Sequence, residues 1–191
     1  MTSQLLRRIS LILITAVLLL QGSLYALAQP GLDRSPPPPP SRLQIPSIEL
    51  DTGVLAVGWI STKAGTTWDV PPDAAGWLTT STPPGRTGNA VLIGHHNIQG
   101  KVFRYLKDVE VGDRLTITSG TQTLEYEITQ RLLLREFGVS QATRQENARW
   151  IGPFPDERIT LVTCWPYWTN THRLILIAHP ITPPPAPVIP R

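Results

Sequence analysis

The sequence predicts a mainly β domain, folded as a closed or nearly closed barrel with only short helices. Short apolar runs rich in β-branched residues recur along the middle of the chain, and glycine, proline and asparagine separate them. The last two runs, at 159–163 and 174–178, flank a short turn-rich loop and therefore predict an antiparallel hairpin. Many short strands with small helices are typical of barrels, which remove exposed sheet edges by closure.

The composition indicates one folded domain with additional segments at its ends. The chain has 191 residues, of which 41% are hydrophobic, and six tryptophans can furnish a core. The net charge is +3 with both signs dispersed, which is too mild to indicate a nucleic-acid-binding protein. Many of the 20 prolines lie in two stretches near the ends.

Residues 1–28 predict a cytoplasmic N-terminus followed by a transmembrane segment. Arg7 and Arg8 precede an uncharged stretch at 9–28. At about 1.5 Å per residue, this stretch matches a bilayer core of about 30 Å, and the arginines favour export of the remainder. The alternative is a cleaved signal peptide, because Ala-Leu-Ala at 26–28 resembles a cleavage site. Either reading exports the domain.

Residues 29–41 are predicted to form a stiff spacer between the membrane and the domain. Residues 36–40 are consecutive prolines, which favour extended polyproline II because the ring fixes φ and removes the backbone donor. The folded domain is then predicted at 42–180. The tail at 181–191 is again proline-rich and is predicted to be disordered.

The first half of the domain is predicted to contain short strands separated by loops. Apolar residues predict early strands near 43–48 and 54–57. Prolines and glycines at 68–77 and 83–88 predict loops. A short buried strand is predicted at 90–93, and it ends at Gly-His-His-Asn.

The second half is predicted to combine strands with two short helices. Apolar residues within 102–109 have helical spacing. Two strands follow at 115–118 and 123–134, separated by a Ser-Gly turn. Ser140 is a candidate N-cap for a helix that runs to about Ala148.

The predicted final hairpin contains the only cysteine of the chain, Cys164. Cys164 follows the first apolar run and Arg173 opens the second, so the hairpin would bring the thiol and the guanidinium close together. A fixed cation favours the thiolate, which is the nucleophilic form of cysteine. Because a single cysteine cannot form an internal disulfide, Cys164 is either an inert core residue or a reactive thiol.

A catalytic cysteine needs a proton-transfer partner, which is usually a histidine placed by the fold. His95 and His96 directly follow a glycine at the end of the strand predicted at 90–93, whereas His172 and His179 lie on the final hairpin. Zinc binding is disfavoured, because the sequence lacks a cysteine pair and acids with a ligand spacing. We therefore expect no metal and no cofactor.

The motifs around these residues resemble those of sortases, the cysteine transpeptidases of bacterial cell surfaces. T-L-V-T-C at 160–164 is similar to the family's TLxTC signature, and Arg173 matches the arginine that opens the next strand. A-V-L-I-G-H at 90–95 is similar to the catalytic histidine motif, with His95 directly after the glycine. W-D-V-P, P-P-G-R-T-G-N and V-F-R-Y-L also match in the family's order.

The resemblance implies a sortase-like eight-stranded β-barrel, preceded by one N-terminal transmembrane helix. It implies that the Cys164 thiolate attacks a threonine carbonyl in an LPXTG-like sorting signal and forms a thioester. His95 would protonate the leaving amine and then deprotonate the incoming one. Arg173 would hold the substrate and stabilise the oxyanion. The acyl group would pass to an amine on a cell-wall precursor or on another surface protein.

Four residues beside these are candidates for substrate binding. Thr163 is a candidate to orient a substrate or an active-site group, and its alternative role is that of a strand residue. Trp165, Tyr167 and Trp168 are candidates to line the peptide groove, and their alternative role is to cover the barrel.

The expected location is the bacterial cell membrane, crossed once, with the catalytic domain outside the cell. The expected partners are surface proteins with a C-terminal sorting signal, and not nucleic acid. Calcium activates some sortases, but the sequence has no evident matching acidic cluster. One alternative, a cysteine peptidase that hydrolyses its acyl-enzyme, uses the same three residues. A second is a non-catalytic, membrane-tethered peptide-binding module that keeps the groove without the chemistry, and the presence of Cys164, His95 and Arg173 together argues against it.

Overall fold

The computed structural model of the protein describes residues 38–63 and 65–181. The predicted membrane segment at 9–28, most of the predicted spacer and the tail after Ile181 lie outside these residues. Within the described residues, no helix combines the length and the apolar character needed to cross a membrane.

The described residues form ten strands, eight of which close into one barrel. The strands are β1 (Pro40–Ile45), β2 (Leu50–Val57), β3 (Trp59–Thr62), β4 (Gly65–Trp68), β5 (Ala75–Leu78), β6 (Gly88–Ile93), β7 (Arg114–Ser119), β8 (Gln122–Arg135), β9 (Glu157–Trp165) and β10 (His172–Pro180). The order around the barrel is β1-β2-β5-β6-β9-β10-β8-β7, and β3 pairs with β4 in a separate ribbon. The predictions of a mainly β fold and of an eight-stranded barrel are confirmed.

The strand pairing brings two distant chain segments to one edge of the barrel. β9 and β10 form the antiparallel hairpin that the sequence predicts. β6 runs parallel to β9, with Ile93 opposite Val162. Because the carboxyl ends of parallel neighbours meet at the same edge, the residues that follow β6 lie beside the end of β9.

Side chains along these strands alternate between the barrel interior and a second apolar cluster on the outer face. The interior core takes residues from all eight barrel strands and includes Leu161 and Leu174. The outer cluster includes Val162 and Ile175. Fully burying one such side chain stabilises the fold by about 1.5–3 kcal/mol, so the alternation fixes which face each strand residue occupies.

The outer cluster is covered by connecting segments rather than by another sheet. β4 contributes Trp68, and the 3-10 helix Arg149–Ile151 contributes Trp150 and Ile151. Asn89 on β6 holds this segment, because its side-chain Nδ2 donates to the carbonyl oxygens of Trp150 and Gly152 at 3.1 and 2.9 Å.

The predicted helix that starts after Ser140 is confirmed. It spans Gln141–Ala148 (α1), and the Ser140 side chain accepts a hydrogen bond from the Thr143 backbone N–H at 3.1 Å. This bond satisfies one of the backbone donors that have no partner within the first turn of a helix.

The short helix predicted over 102–109 is present in part, as a 3-10 helix. The chain there makes turns followed by the 3-10 helix Leu106–Asp108. Phe103, Leu106 and Val109 are buried at intervals of three residues, which fits the 3.0 residues per turn of a 3-10 helix.

The loop predicted at 68–77 includes the ends of two strands. β4 ends at Trp68 and β5 begins at Ala75. The β3–β4 ribbon has mostly exposed residues, so its sequence carries little of the period-two apolar pattern that predicts strands.

Candidate active site

The final hairpin places Cys164 directly opposite Arg173. Cys164 is near the end of β9, Arg173 is near the start of β10, and the two are paired in the antiparallel ladder. Directly opposed side chains share a face, with Cβ atoms about 4.5–5.5 Å apart. Both residues are half-buried. Each lies two residues from a member of the outer cluster, Val162 or Ile175, so both project from the outer face.

His95 leaves the neighbouring strand beside the cysteine. β6 ends at Ile93, and the Gly94 backbone N–H donates to the Val162 carbonyl at 3.3 Å, which extends the parallel pairing by one step. His95 is two residues beyond Ile93, just as Cys164 is two residues beyond Val162. Adjacent strands are about 4.8 Å apart. Continued by two residues, the parallel register aligns half-buried His95 with Cys164.

Thr163 joins the two strand ends from the opposite face. Its side chain is 3% exposed, and its hydroxyl donates to the Gly94 carbonyl at 2.7 Å. This hydrogen bond holds the residue before His95 against the residue before Cys164. Thr163 is predicted from the sequence to bind substrate or to orient an active-site group, and its hydroxyl proton is already used to hold the Gly94 backbone.

His96 points away from its neighbour. Its ring is 1% exposed and meets the rings of Trp165 and Tyr167 edge-on, with centroids 5.4 and 5.5 Å away. Burial lowers the pKa of His96, because a desolvated site disfavours the imidazolium, and the charges of Lys107 and Arg104 lower it further. The polar backbone of Phe103 favours the charged ring and so partly offsets this lowering of the pKa. Neither ring nitrogen of His96, however, has a partner within hydrogen-bond geometry.

The end of β9 and the loop after it carry the predicted aromatic residues. Trp165 packs against the interior core, Tyr167 contacts Trp168 at a centroid distance of 4.8 Å, and Trp168 is 88% exposed. The Asn97 side chain donates to the Tyr167 carbonyl and thereby ties this loop to the loop after β6. Trp165 and Tyr167 are therefore grouped around His96.

Arg173 opens onto a small apolar groove on the outer face. The groove has a volume of about 130 Å³. Its apolar walls include Trp68, Leu134, Ile151 and Ile175, and Glu136, Arg144 and Asn147 line its polar side. Arg173 Nη1 donates to the His172 carbonyl at 3.3 Å. Within residues 38–63 and 65–181 the Arg173 side chain makes no ion pair. Its remaining N–H donors are thus available to a ligand.

Several contributors to the site carry no strong sequence signal. Trp68 reaches the groove from the separate ribbon, and Asn89 on β6 bonds to the Trp150 carbonyl, next to groove residue Ile151. Asn97 directly follows the two histidines, and this position is the one sequence feature that could have indicated that it ties the two loops together. In the described part of the chain, no three His, Cys, Asp or Glu side chains gather as metal ligands would.

The fold and the site together define a β-barrel protein with a cysteine-centred site at one barrel edge. The family model for the sortase domain matches residues 43–181, and the chain belongs to the sortase family.

A curated relative is similar over about half of this chain. Sortase SrtE1 of Streptomyces coelicolor is 29% identical over 107 residues, which cover 52% of this chain. The match spans only 28% of the length of that curated relative.

Two solved structures show the same overall fold. Sortase A from Corynebacterium diphtheriae superposes with a TM-score of 0.60 and 28% identity, over 81% of this chain and 66% of that one. A Clostridium perfringens sortase D5 transpeptidase gives a TM-score of 0.58 and 25% identity, over 75% of this chain and 79% of that one.

Proposed function

We propose that this protein is a sortase-type cysteine transpeptidase that acts on an LPXTG-like sorting signal. The observation that carries the proposal is the geometry of one barrel edge, where Cys164 opposes Arg173 and His95 follows the parallel neighbour of the cysteine strand. Family membership supports the same reaction class. The resemblance of T-L-V-T-C to the family signature supports the choice of nucleophile.

In the first half-reaction, the Cys164 thiolate attacks the threonine carbonyl carbon and a carbon–sulfur bond forms. Arg173 donates hydrogen bonds to the oxyanion and to the substrate backbone through its planar fork of N–H groups. The scissile carbon–nitrogen bond then breaks, and His95 gives its proton to the leaving amine. The products are a thioester on Cys164 and the free C-terminal fragment.

In the second half-reaction, an acceptor amine attacks the thioester. Neutral His95 takes a proton from the amine as the new amide bond forms, and the Cys164 thiolate leaves. The enzyme returns to its starting protonation state, and the surface protein is joined to a cell-wall precursor or to another surface protein. Hydrolysis is the same step with water in place of the amine.

The sorting signal is proposed to bind in the groove beside Arg173. Its walls suit the leucine and proline side chains of such a signal. The Trp68 Nε1–H is buried without a hydrogen-bond partner and is thus a candidate donor to a substrate carbonyl. Thr163 contributes by positioning the strand ends, whereas Trp165, Tyr167 and Trp168 remain candidates on the other side of the cysteine.

We further propose that the enzyme is anchored in the bacterial cell membrane by its first 28 residues, with residues 42–180 outside the cell. The uncharged stretch at 9–28 supports this location. N-terminal sequencing of the protein from its native host tests it. A mature chain that starts at Gln29 would instead mean secretion after cleavage.

The test of the reaction uses the full-length chain in a neutral detergent with an LPXTG-like peptide. Intact-mass spectrometry should detect a covalent acyl adduct, and peptide mapping should locate it on Cys164. The control is Cys164→Ala, which should fold normally but form no adduct and release no product, because only the sulfur can form the thioester.

The products with and without an added amine separate the three candidate functions. A joined peptide–amine product supports transpeptidation. Hydrolysed peptide alone, even with excess amine, would mean a cysteine peptidase. Peptide binding without any adduct would mean a non-catalytic binding module, and full turnover by Cys164→Ala would exclude the cysteine mechanism.

A further inference from the structure

A second cavity lies next to the proposed active site, on the side to which His96 points. Its volume is about 380 Å³. It is formed where the turns after β6 face the loop between β9 and β10. Its lining includes His96, Arg104, Lys107, Trp165, Tyr167 and Trp168. Trp165, Tyr167 and Trp168 are also candidates to contact the sorting signal, but His96, Arg104 and Lys107 have no part in the reaction proposed for Cys164. The basic side of the cavity therefore needs its own explanation.

The positive charge of this cavity comes from a regular spacing. Lys101, Arg104 and Lys107 recur every three residues through turns and a 3-10 helix. The buried residues Phe103 and Leu106 recur with the same interval. Side chains three residues apart in a 3-10 helix lie on the same face. The period of three therefore turns the apolar side chains to the core and the cations toward the aromatic loop.

Two of these cations contact Tyr167 through its ring face. The Arg104 guanidinium lies 5.4 Å and the Lys101 ammonium 5.8 Å from the ring centroid. Stacking occupies the flat face of a guanidinium and leaves its N–H edges available for hydrogen bonds. Arg104 therefore stabilises the loop while it keeps donors that can bind an anion.

The cations outnumber the acids at this cavity. Lys107 pairs with Asp108. The side chains of Lys101 and Arg104 form no ion pair within the described ranges 38–63 and 65–181. No carboxylate lines the cavity. The local field therefore favours a negatively charged ligand.

His96 is the second, independent sign of a ligand. Its side chain is 1% exposed and lines the cavity, yet neither ring nitrogen has a hydrogen-bond partner in the described structure. A buried polar group without a partner costs free energy, and such groups are rare in native proteins. A ligand in the cavity would supply the missing partner.

We propose that this cavity binds a ligand that carries an anionic group, a phosphate or a carboxylate, attached to a flat ring. Arg104 and Lys107 bind the anionic group, and His96 donates a hydrogen bond to it. Trp168, which is 88% exposed at the rim, and Tyr167 stack on the ring. The site is distinct from the groove that begins at Arg173, and it does not require the Cys164 thiol.

The experiment is a calorimetric titration of the full-length chain in neutral detergent with phenyl phosphate. We expect saturable one-to-one binding. Arg104→Gln should weaken it by about tenfold, because a charge-assisted hydrogen bond is lost. The matched control is Arg86→Gln, which removes the same charge from an exposed position before the start of β6, at the opposite end of that strand. It should bind like the parent.

Further probes separate the two parts of the ligand. Inorganic phosphate should bind more weakly than phenyl phosphate, and benzylamine, which has the ring but the opposite charge, should not bind. Trp168→Ala should weaken binding of phenyl phosphate but not of inorganic phosphate. A higher affinity for phenyl phosphate than for benzoate identifies phosphate as the preferred group, and the reverse order identifies carboxylate. Either order supports the proposal.

The ring signals of His96 provide a readout that does not depend on affinity. Its imidazole carbon–proton resonance, assigned from His96→Gln, should shift on addition of phenyl phosphate, while that of His95 should stay. If His96→Gln does not fold, the Arg104 and Trp168 variants still decide the outcome. Absence of binding, or equal binding by Arg104→Gln and the parent, overturns the proposal.

Cys164→Ala keeps this test separate from the proposed reaction. It should bind phenyl phosphate with parental affinity even though it cannot form a thioester. If the parent binds phenyl phosphate but never forms the acyl adduct, the proposal for the cavity is supported and the transpeptidase proposal fails. If the parent forms the acyl adduct but does not bind phenyl phosphate, the transpeptidase proposal is supported and the proposal for the cavity fails.

Discussion

Consecutive histidines belong to two regions that are built in different ways. His95 follows β6 and aligns with Cys164 in the continued parallel register, where backbone pairing of β6, β9 and β10 sets the geometry. His96 continues the inner side and is enclosed by aromatic and basic side chains from two loops. Two adjacent residues therefore belong to different regions: strand register sets the geometry around His95, and side-chain contacts set the geometry around His96.

The difference teaches which kind of substitution each region tolerates. A site on paired strands keeps its geometry when a side chain is changed, so substitutions there should affect chemistry more than folding. A cavity between loops depends on the side chains that form it, so substitutions there should affect binding and stability first. The four predictions below test this contrast, from the largest expected effect to the smallest.

The histidine pair gives the sharpest test. His95→Ala should reduce turnover of an LPXTG-like peptide by about a hundredfold to ten-thousandfold, the range for loss of a general acid–base group. His96→Gln should retain turnover within a few-fold, because its ring lies on the other side. Steady-state kinetics on both variants, with circular dichroism to verify folding, makes the comparison. Comparable losses in two folded variants would contradict the division.

The second prediction concerns the geometry of Arg173. Arg173→Lys should be nearly as damaging as Arg173→Ala, with a loss in turnover on the order of a hundredfold to a thousandfold. Lysine preserves the charge but lacks the planar fork of donors. Alkylation of Cys164 by iodoacetamide should slow much less than turnover, because alkylation needs only the thiolate. A lysine variant with near-parental turnover would make Arg173 a charge partner and not an oxyanion ligand.

The third prediction concerns the bond that joins the two strand ends. Thr163→Val removes the hydrogen bond to the Gly94 carbonyl, whereas Thr163→Ser keeps a hydroxyl there. The valine variant should lose about 1–3 kcal/mol of unfolding free energy. Its turnover should fall by less than the roughly hundredfold loss that a 1 Å misplacement causes. Thermal unfolding and kinetics measure both effects, and equal behaviour of the two variants would show that the bond has no positioning role.

The smallest expected effect is the pH dependence of stability that His96 confers. Burial lowers the pKa of His96 in the folded state, so the unfolded chain binds more protons once the pH falls below about 6.5. The parent should therefore lose stability as the pH falls from 7.5 to 5.5, by at most about 1.4 kcal/mol per pH unit from this group.

The His96→Gln variant should lack this contribution. The groups that face His96 are the Arg104 and Lys107 cations and the Trp165 and Tyr167 rings. Thermal melts of both proteins at several pH values should show a steeper loss of stability toward low pH in the parent than in the variant. Parallel curves would mean that His96 titrates equally in the folded and unfolded states.

The sequence by itself determined the parts of the protein that depend on local rules. The continuous apolar runs at 159–163 and 174–178 and the short loop between them predict β9 and β10, and a short hairpin allows only a few registers. The opposition of Cys164 and Arg173 follows from that register and is confirmed. The Ser140 cap is equally local, because the hydroxyl and the N–H that it accepts lie three residues apart. The barrel class follows from the number of such strands.

Only the tertiary structure decided which residues from distant segments meet. Thr163 and Gly94 are 69 positions apart, and no spacing rule predicts that β6 runs parallel to β9 so that their ends coincide. The sequence likewise does not predict that the basic residues of 101–107 face the loop after β9, or that Trp68 reaches the groove from a separate ribbon. Local patterns select strand and turn conformations through short-range sterics and hydrogen bonds, whereas contacts between distant segments exist only once the barrel has closed around its core.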